Sequence, residues 1–250
     1  MALRAILLAL VLTAPATAEI LRVGIGTSPG SLYPPYQILA EDGTVSGLSI
    51  DVLDAIVKRT GDQVAFVYLP APRLFAGISD GSIDLDIFSN PDWRSQYAAD
   101  SVYTETYVTA RMILVYRKDV DHVPQTLKDL TGKTVLVVNG FRYPGLDDWF
   151  ERGDIRREFA PSTALLLKML RAHHGSFGVA DEAVFFHLAE LDDLSALAPG
   201  IAVAAPSRVM MRFPKRLADT AERFNRAIEA LRDSGELAGI LAKYGLMHAN

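Results

Sequence analysis

The sequence predicts an α/β fold made of two units, each a mostly parallel sheet flanked by helices. Three observations carry this. Strand-like and helix-like stretches alternate from residue 21 to residue 88. The alternation starts afresh after Ala110. The tail from Phe224 onward then returns to helical spacing. A β-α-β-α-β order implies an open sheet with helices packed on its faces.

The elements follow in order. Leu21-Arg22-Val23-Gly24-Ile25 is a short β-type run. Ile50, Leu53, Ile56 and Val57 recur at helical spacing, and Gly61 supplies the stop. Val64 to Leu69 is the next strand, Pro72 to Asp80 a helix with Leu74, Phe75 and Ile78 on one side, and Ile83 to Phe88 a strand. In the second unit, Met112 to Tyr116 and Thr134 to Val138 are strands. A helix is predicted over Thr163 to His173, a strand over Ser176 to Ala180, a helix over Asp181 to Leu191 and a strand over Ile201 to Ala204. Met210-Met211 reads as part of a buried strand. Phe224, Ile228 and Leu231 form one apolar stripe, Ser234-Gly235 breaks it, and Leu237, Ile240, Leu241 and Tyr244 form another. Two similar α/β units imply a cleft between them. Ligands of open α/β sheets collect at the carboxyl ends of the strands.

Composition narrows the function. Arg4, the apolar run 5–12 and Ala16-Thr17-Ala18 have the order of an export signal, with cleavage after Ala18. The apolar run is shorter than the roughly 20 residues a membrane span needs. The other reading of this stretch is a buried N-terminal strand or helix. The chain has no cysteine, which excludes disulfides, thiolate nucleophiles and Cys-based metal sites. A domain of this size needs no disulfide to build a core, and export to a bacterial periplasm fits. The net charge of −5 argues against nucleic acid, whose phosphates require a basic footprint.

Motifs for other chemistry are missing. Gly24-x-Gly26 lacks the third glycine and helix start of a dinucleotide fingerprint. There is no His-Glu-x-x-His. His173-His174, placed on the predicted helix, diverge by about 100° and have no carboxylate at ligand spacing. No metal and no cofactor are expected.

Four stretches together resemble the family 3 extracellular solute-binding proteins of ABC transporters, the type II periplasmic binding proteins whose best-known members bind polar amino acids. "LRVGIGTSPGSLYPPYQILAEDGTVSGLSIDVLDAIVKRTG" is similar to the family opening, with its Tyr-Pro-Pro-aromatic loop, Asp-Gly turn and Gly-aromatic-x-x-Asp helix start; Leu48 replaces that last aromatic. "VAFVYLPAPRLFAGISDGSIDL", "TLKDLTGKTVLVVNG" and "RFNRAIEALRDSGELAGILAKYG" resemble the following stretches. The resemblance covers nearly all the chain after the signal. It implies two lobes, residues 19–108 with 206–250 and residues 109–205, joined by crossings near Tyr107–Arg111 and Ala202–Ser207. A solute enters the cleft and the lobes close on it.

The resemblance also implies site residues, each with a plainer alternative. Arg94 matches the arginine that forks onto a ligand carboxylate, although Asn90 stands at the family's Thr and the loop is about two residues shorter; otherwise it is a surface residue. Ser89 and Asn90 would supply neutral donors. Asp181 matches the aspartate that takes the ligand's ammonium, and Asp is also a good N-cap. Arg73 is either a ligand contact or a salt-bridged helix residue. Phe141, Arg142 and Tyr143 occupy the turn that presents amides and a Thr in the family; they either face the solute or form an ordinary exposed turn. Arg142 with Arg94 would favour an acidic solute. Tyr33 and Tyr36, on the proline-stiffened loop, either wall the cleft or pack beneath the loop as core.

Three functions are compatible with these residues. The first is the solute-binding component of an ABC importer, a monomer whose partners are a small polar solute and an inner-membrane permease. The second is an accessory or sensor protein with a protein partner. The third is a periplasmic dehydratase of the cyclohexadienyl type, using acid–base groups among Asp86, Asp92, Glu105 and Asp181.

Overall fold

The structure, a computed structural model, describes residues 20–27 and 33–246. The export signal expected at 1–18, and the Pro29–Leu32 part of the first loop, lie outside these residues.

The chain opens with β1 (Ile20–Gly26), the two-residue strands β2 (Ile38–Leu39) and β3 (Val45–Ser46), α1 (Leu48–Thr60), β4 (Gln63–Leu69), α2 (Ala71–Asp80) and β5 (Leu85–Ser89). A 3₁₀ segment, Asp92–Asp100, leads to β6 (Ser101–Tyr103) and β7 (Val108–Ala110). Then come β8 (Met112–Arg117), β9 (Thr134–Val138), α3 (Asp147–Glu151), β10 (Arg156–Ala160), α4 (Thr163–Arg171), β11 (Phe177–Asp181), α5 (Glu182–Leu191) and β12 (Leu197–Ala202). The chain returns through β13 (Ser207–Pro214) and ends in α6 (Ala218–Asp233) and α7 (Glu236–Lys243).

One sheet has the order β4-β1-β5-β13-β6, with β7 also paired to β13; the other has the order β10-β9-β11-β8-β12. Both are mixed. β4, β1 and β5 run parallel, as do β10, β9 and β11. The strands next to the crossings, β13 and β8, pair antiparallel to their neighbours. The chain passes from one sheet to the other at Arg111 and back through residues 203–206.

Burial explains why these segments fold as they do. Leu21, Val23 and Ile25 of β1 alternate inward onto Val52, Leu53 and Ile56 of α1. Phe224, Ile228 and Leu231 of α6 join the same core. The tail therefore covers the first sheet, and Phe213 meets Phe224 edge-on at 5.0 Å. The second sheet is apolar on both faces, with separate clusters around Leu166 and Leu170 on one side and around Leu114 and Val179 on the other. Ala183 and Val184, at the start of α5, pack into the first sheet's core.

Several elements differ from the sequence expectation. The helix predicted to His173 ends at Arg171, because His173 turns into the left-handed region (φ 62°). The final strand of the second sheet is Leu197–Ala202, not Ile201–Ala204. Pro199 and Gly200 mask it in sequence, and its edge position tolerates a residue with no N–H to donate. Among the segments given no element, Arg156–Ala160 forms β10; four of its five side chains are exposed on the sheet edge, so no apolar pattern marks it.

The Tyr33–Gln37 loop is tied to the start of α1. Leu48 and Ser49 donate their amides to the carbonyls of Pro35 (2.9 Å) and Tyr36 (3.0 Å). The helix needs no side-chain cap, since the loop supplies the acceptors for its first orphan amides. Gly47 makes this possible: its φ is 115°, and a Cβ there would stand 2.7 Å from both carbonyl oxygens.

Candidate functional site

Between the two sheets lies a cavity of about 120 Å³. A single water requires roughly 10–15 Å³ on this scale, so there is room for a small solute. From the first sheet's side come Tyr33, Gln37, Leu74, Phe75, Asp86, Phe88, Trp93 and Arg94; from the second come Met112, Gly140, Phe141, Arg142, Tyr143 and Pro144. Ala110, Val203, Ala204 and Ser207, at the two crossings, complete it.

The walls are aromatic. Tyr33 stacks on Tyr36 with ring centres 5.7 Å apart and lies 5.3 Å from Phe88. Phe88 in turn contacts Tyr36 at 4.7 Å and Trp93 at 5.6 Å. Tyr33 meets Phe141 of the other side edge-on at 5.6 Å. The same two rings also line a smaller cavity that reaches Ser162, Thr163 and Leu188.

The charged groups are concentrated on one wall. The Arg94 guanidinium sits over the Phe75 ring, its carbon 3.8 Å from the ring centre. The chain breaks out of helical geometry at this residue (φ −126°, ψ 29°). One Nη donates to the Trp93 carbonyl at 3.2 Å, and Nε has no partner. Beside it sits Asp86, only 3% exposed. Burial raises the Asp86 pKa, opposed by the charges of Arg94 and Arg212. Arg212 is fully buried behind the wall. It donates to Ser101 Oγ (2.9 Å) and the Phe75 carbonyl (3.0 Å), and it stands 3.9 Å from the Asp86 carboxyl. Burial lowers the Arg94 pKa, and Asp86 counters this. Gln37, 5% exposed, carries an Oε1 with no partner.

The residues singled out in the sequence fall into three groups. Tyr33, Arg94, Phe141, Arg142 and Tyr143 line the cavity. Of these, Arg142 is at the rim, with its side chain 75% exposed and 3.7 Å from Asp147. The Tyr143 hydroxyl is engaged with the Val138 backbone, accepting from its N–H at 2.7 Å. The remaining residues of the set do not line the cavity.

Tyr36, Ser89, Asn90 and Asp181 are buried around it. Asn90 donates to the Arg208 carbonyl and accepts from the Asp92 amide, both at 2.7 Å, so its amide fixes the turn. Asp181 caps α5, its Oδ1 accepting from Ala183 (3.0 Å) and Val184 (3.1 Å). The same oxygen accepts from the Tyr36 hydroxyl of the other sheet's loop at 3.3 Å. Burial lifts the Asp181 carboxyl to about 7 despite these bonds. Arg73 stands apart, exposed on α2 and away from the cavity, while its neighbours Leu74 and Phe75 turn inward.

Sequence reasoning missed Gln37, Phe75, Phe88, Trp93 and Met112 as cavity residues, and placed Asp86 only among acid–base candidates. Asp86 carries a readable signal, a carboxylate flanked by Leu85 and Ile87 inside a strand. The others carry none. Among the described residues, no group of three or more His, Asp or Glu side chains is placed to hold a metal, and no helix is long and apolar enough to cross a membrane.

Comparison with known proteins agrees with this architecture. The arginine-binding extracellular protein ArtP of Bacillus subtilis (strain 168) is 24% identical over 88% of this chain and 84% of its own length. The histidine-binding periplasmic protein of Escherichia coli (strain K12) is 29% identical, over 52% of this chain and half of its own length. A histidine kinase sensor domain with similarity to periplasmic binding proteins superposes with a TM-score of 0.75, at 22% identity, over 91% of this chain and 96% of the domain. The family model for bacterial extracellular solute-binding proteins, family 3, matches residues 21–247, and the chain belongs to that family.

Proposed function

We propose that this protein is the periplasmic solute-binding component of an ABC importer. It captures one small polar solute between its lobes and presents the closed form to an inner-membrane permease. The observation that carries the reading is the cavity built from both sheets and from both crossings. A ligand touching both sides favours the closed arrangement, because closure is driven only by differential affinity for that state. ArtP, an arginine-binding relative, points to an amino acid or a related carboxylate as the solute class. Export to the periplasm and a monomeric state complete the reading.

A second reading, an accessory or sensor protein, draws on Asn90. Its amide is committed to Arg208 and Asp92 instead of facing a solute. The enzyme reading has Asp86 and Asp181 as buried carboxyls with raised pKa values; Asp92 and Glu105 are exposed.

Thermal-shift and calorimetric titration of the purified protein against amino acids and organic acids separates these. Bound solute stabilises the fold by RT ln(1 + [L]/Kd). The transport reading expects one solute class to raise Tm sharply and small-angle scattering to show contraction. No response to any solute, with capture of a partner protein, supports the second reading. Turnover of prephenate-like acids supports the third.

A further inference from the structure

The charges around the cavity do not balance. Arg212 is fully buried and Arg94 half-buried along one wall, and the single carboxylate of the lining, Asp86, lies 3.9 Å from Arg212 and faces the charge of Arg94. Arg94 retains an Nε–H with no partner. A guanidinium withdrawn from water is costly unless paired, and its planar fork matches a carboxylate. The wall therefore has one positive charge in excess, which one monoanion would neutralise.

Among the described residues, the cavity lining offers an ammonium no carboxylate other than Asp86. Asp181 does not line the cavity; its Oδ1 is occupied by two amides and the Tyr36 hydroxyl, and its Oδ2 is buried without a partner outside the lining. Asp86 faces two guanidiniums, which repel a third cation. The remaining lining near Arg94 is flat and unsaturated: Phe75, Phe88, Trp93 and Phe141. Among the described residues, the buried Gln37 Oε1 lines this cavity without a hydrogen-bond partner. A hydroxyl satisfies it in either orientation, since it donates and accepts.

We infer that the cavity takes a small monocarboxylate with an aromatic or otherwise flat body and a hydroxyl group, and that it discriminates against α-amino acids. The carboxylate forks onto Arg94, the body lies between the rings, and the hydroxyl meets Gln37. This inference rests on the solute-binding reading and narrows it.

Four probes of matched shape test it by isothermal titration with the purified protein: 3-(4-hydroxyphenyl)propionate, 3-phenylpropionate, L-tyrosine and tyramine. The hydroxyphenyl acid is expected to bind at least tenfold more tightly than L-tyrosine, which differs by the α-ammonium, and tyramine gives no heat. Loss of the hydroxyl weakens binding several-fold in the native protein, and Gln37→Leu abolishes that difference. Arg94→Met eliminates binding of the acid. Arg94→Lys, which keeps the charge without the fork, weakens it at least fivefold; circular dichroism and Tm verify that both variants fold. If L-tyrosine or tyramine binds as tightly as the acid, or Arg94→Met binds it undiminished, the inference is overturned while the solute-binding reading stands. Silence of all four probes and of the standard amino acids overturns both.

Discussion

The Tyr36 hydroxyl donates to Asp181 Oδ1 across the cleft, at 3.3 Å, with both residues fully buried. This bond links the loop after β1 to the cap of α5. Burial raises the Tyr36 pKa well above its ordinary value, so the phenol stays a donor at neutral pH.

The same burial predicts a pH dependence. Asp181 titrates near 7 in the fold against 3.8 for a free side chain. Between these values the folded state holds a proton that the unfolded state has released. The contribution is therefore fully present below pH 4 and is lost as pH rises through about 7, amounting to about 4 kcal/mol. Asp181→Asn keeps the Oδ1 cap but cannot ionise. Chemical denaturation across pH 4–8 should show the native protein losing stability relative to this variant as pH rises. A constant difference over that range would show that Asp181 does not titrate there.

Gly47 makes a separate prediction, about the loop that carries Tyr33 and Tyr36. Its φ of 115° and the two carbonyl oxygens 2.7 Å from a notional Cβ leave no space for a side chain. Gly47→Ala should cost about 1–3 kcal/mol, the range for backbone held in a region L-residues avoid. It should also disturb the Leu48 and Ser49 amide bonds, read as faster hydrogen exchange at both. Unchanged stability would mean the loop moves away from α1 without cost.

These two residues illustrate how much the sequence disclosed. The Tyr33–Tyr36 loop was legible because paired prolines constrain the backbone locally, whereas Gly47 entered only as part of a helix-start motif. Strands such as β4 and the stripe of α6 were legible because alternation and helical spacing report burial directly. β10 was not, since an exposed edge strand has no apolar face to display. The cavity was only half legible. Arg94 and Tyr33 lie at strand ends, where ligands collect. Gln37, Phe75 and Asp86 become neighbours only through the packing of a loop, a helix and a strand. Asp181 shows the converse limit: one residue type at a strand–helix junction serves either a ligand or a helix cap, and here its Oδ1 serves the cap and Tyr36.

Asp84 ties the first strand to the return segment. Its carboxylate accepts from Arg22 Nε (2.7 Å), an Arg22 Nη (2.9 Å) and the Arg22 amide (3.1 Å), and it also pairs with Arg216. Burial raises its pKa, but the bonds from Arg22 and Arg216 outweigh this and hold it at about 2. Its contribution is present above pH 4 and is lost as pH falls through about 2, opposite in sign to Asp181. Both arginines are substantially exposed, so screening reduces the effect. Asp84→Asn should cost about 1–2 kcal/mol at pH 7 and move the acid-unfolding midpoint upward. An unmoved midpoint would assign acid unfolding to other carboxylates.

Gly145 holds the aromatic turn against the return crossing. A Cβ at this residue would lie 1.7 Å from the Val203 carbonyl oxygen and 3.1 Å from Ala204 Cα. The turn cannot retreat easily, because Tyr143 is held at both ends, its hydroxyl by Val138 and its amide by Asp147. Gly145→Ala must therefore displace residues 203–204, the crossing that floors the cavity. An overpacked contact of this kind costs about 1–3 kcal/mol, so Tm should fall by several degrees. Solute binding should suffer beyond that loss, since Phe141, Tyr143, Val203 and Ala204 all line the cavity. Titration with whichever solute stabilises the native protein should show at least a tenfold weaker Kd. A native affinity in a folded Gly145→Ala protein would show that the crossing is not part of the solute site.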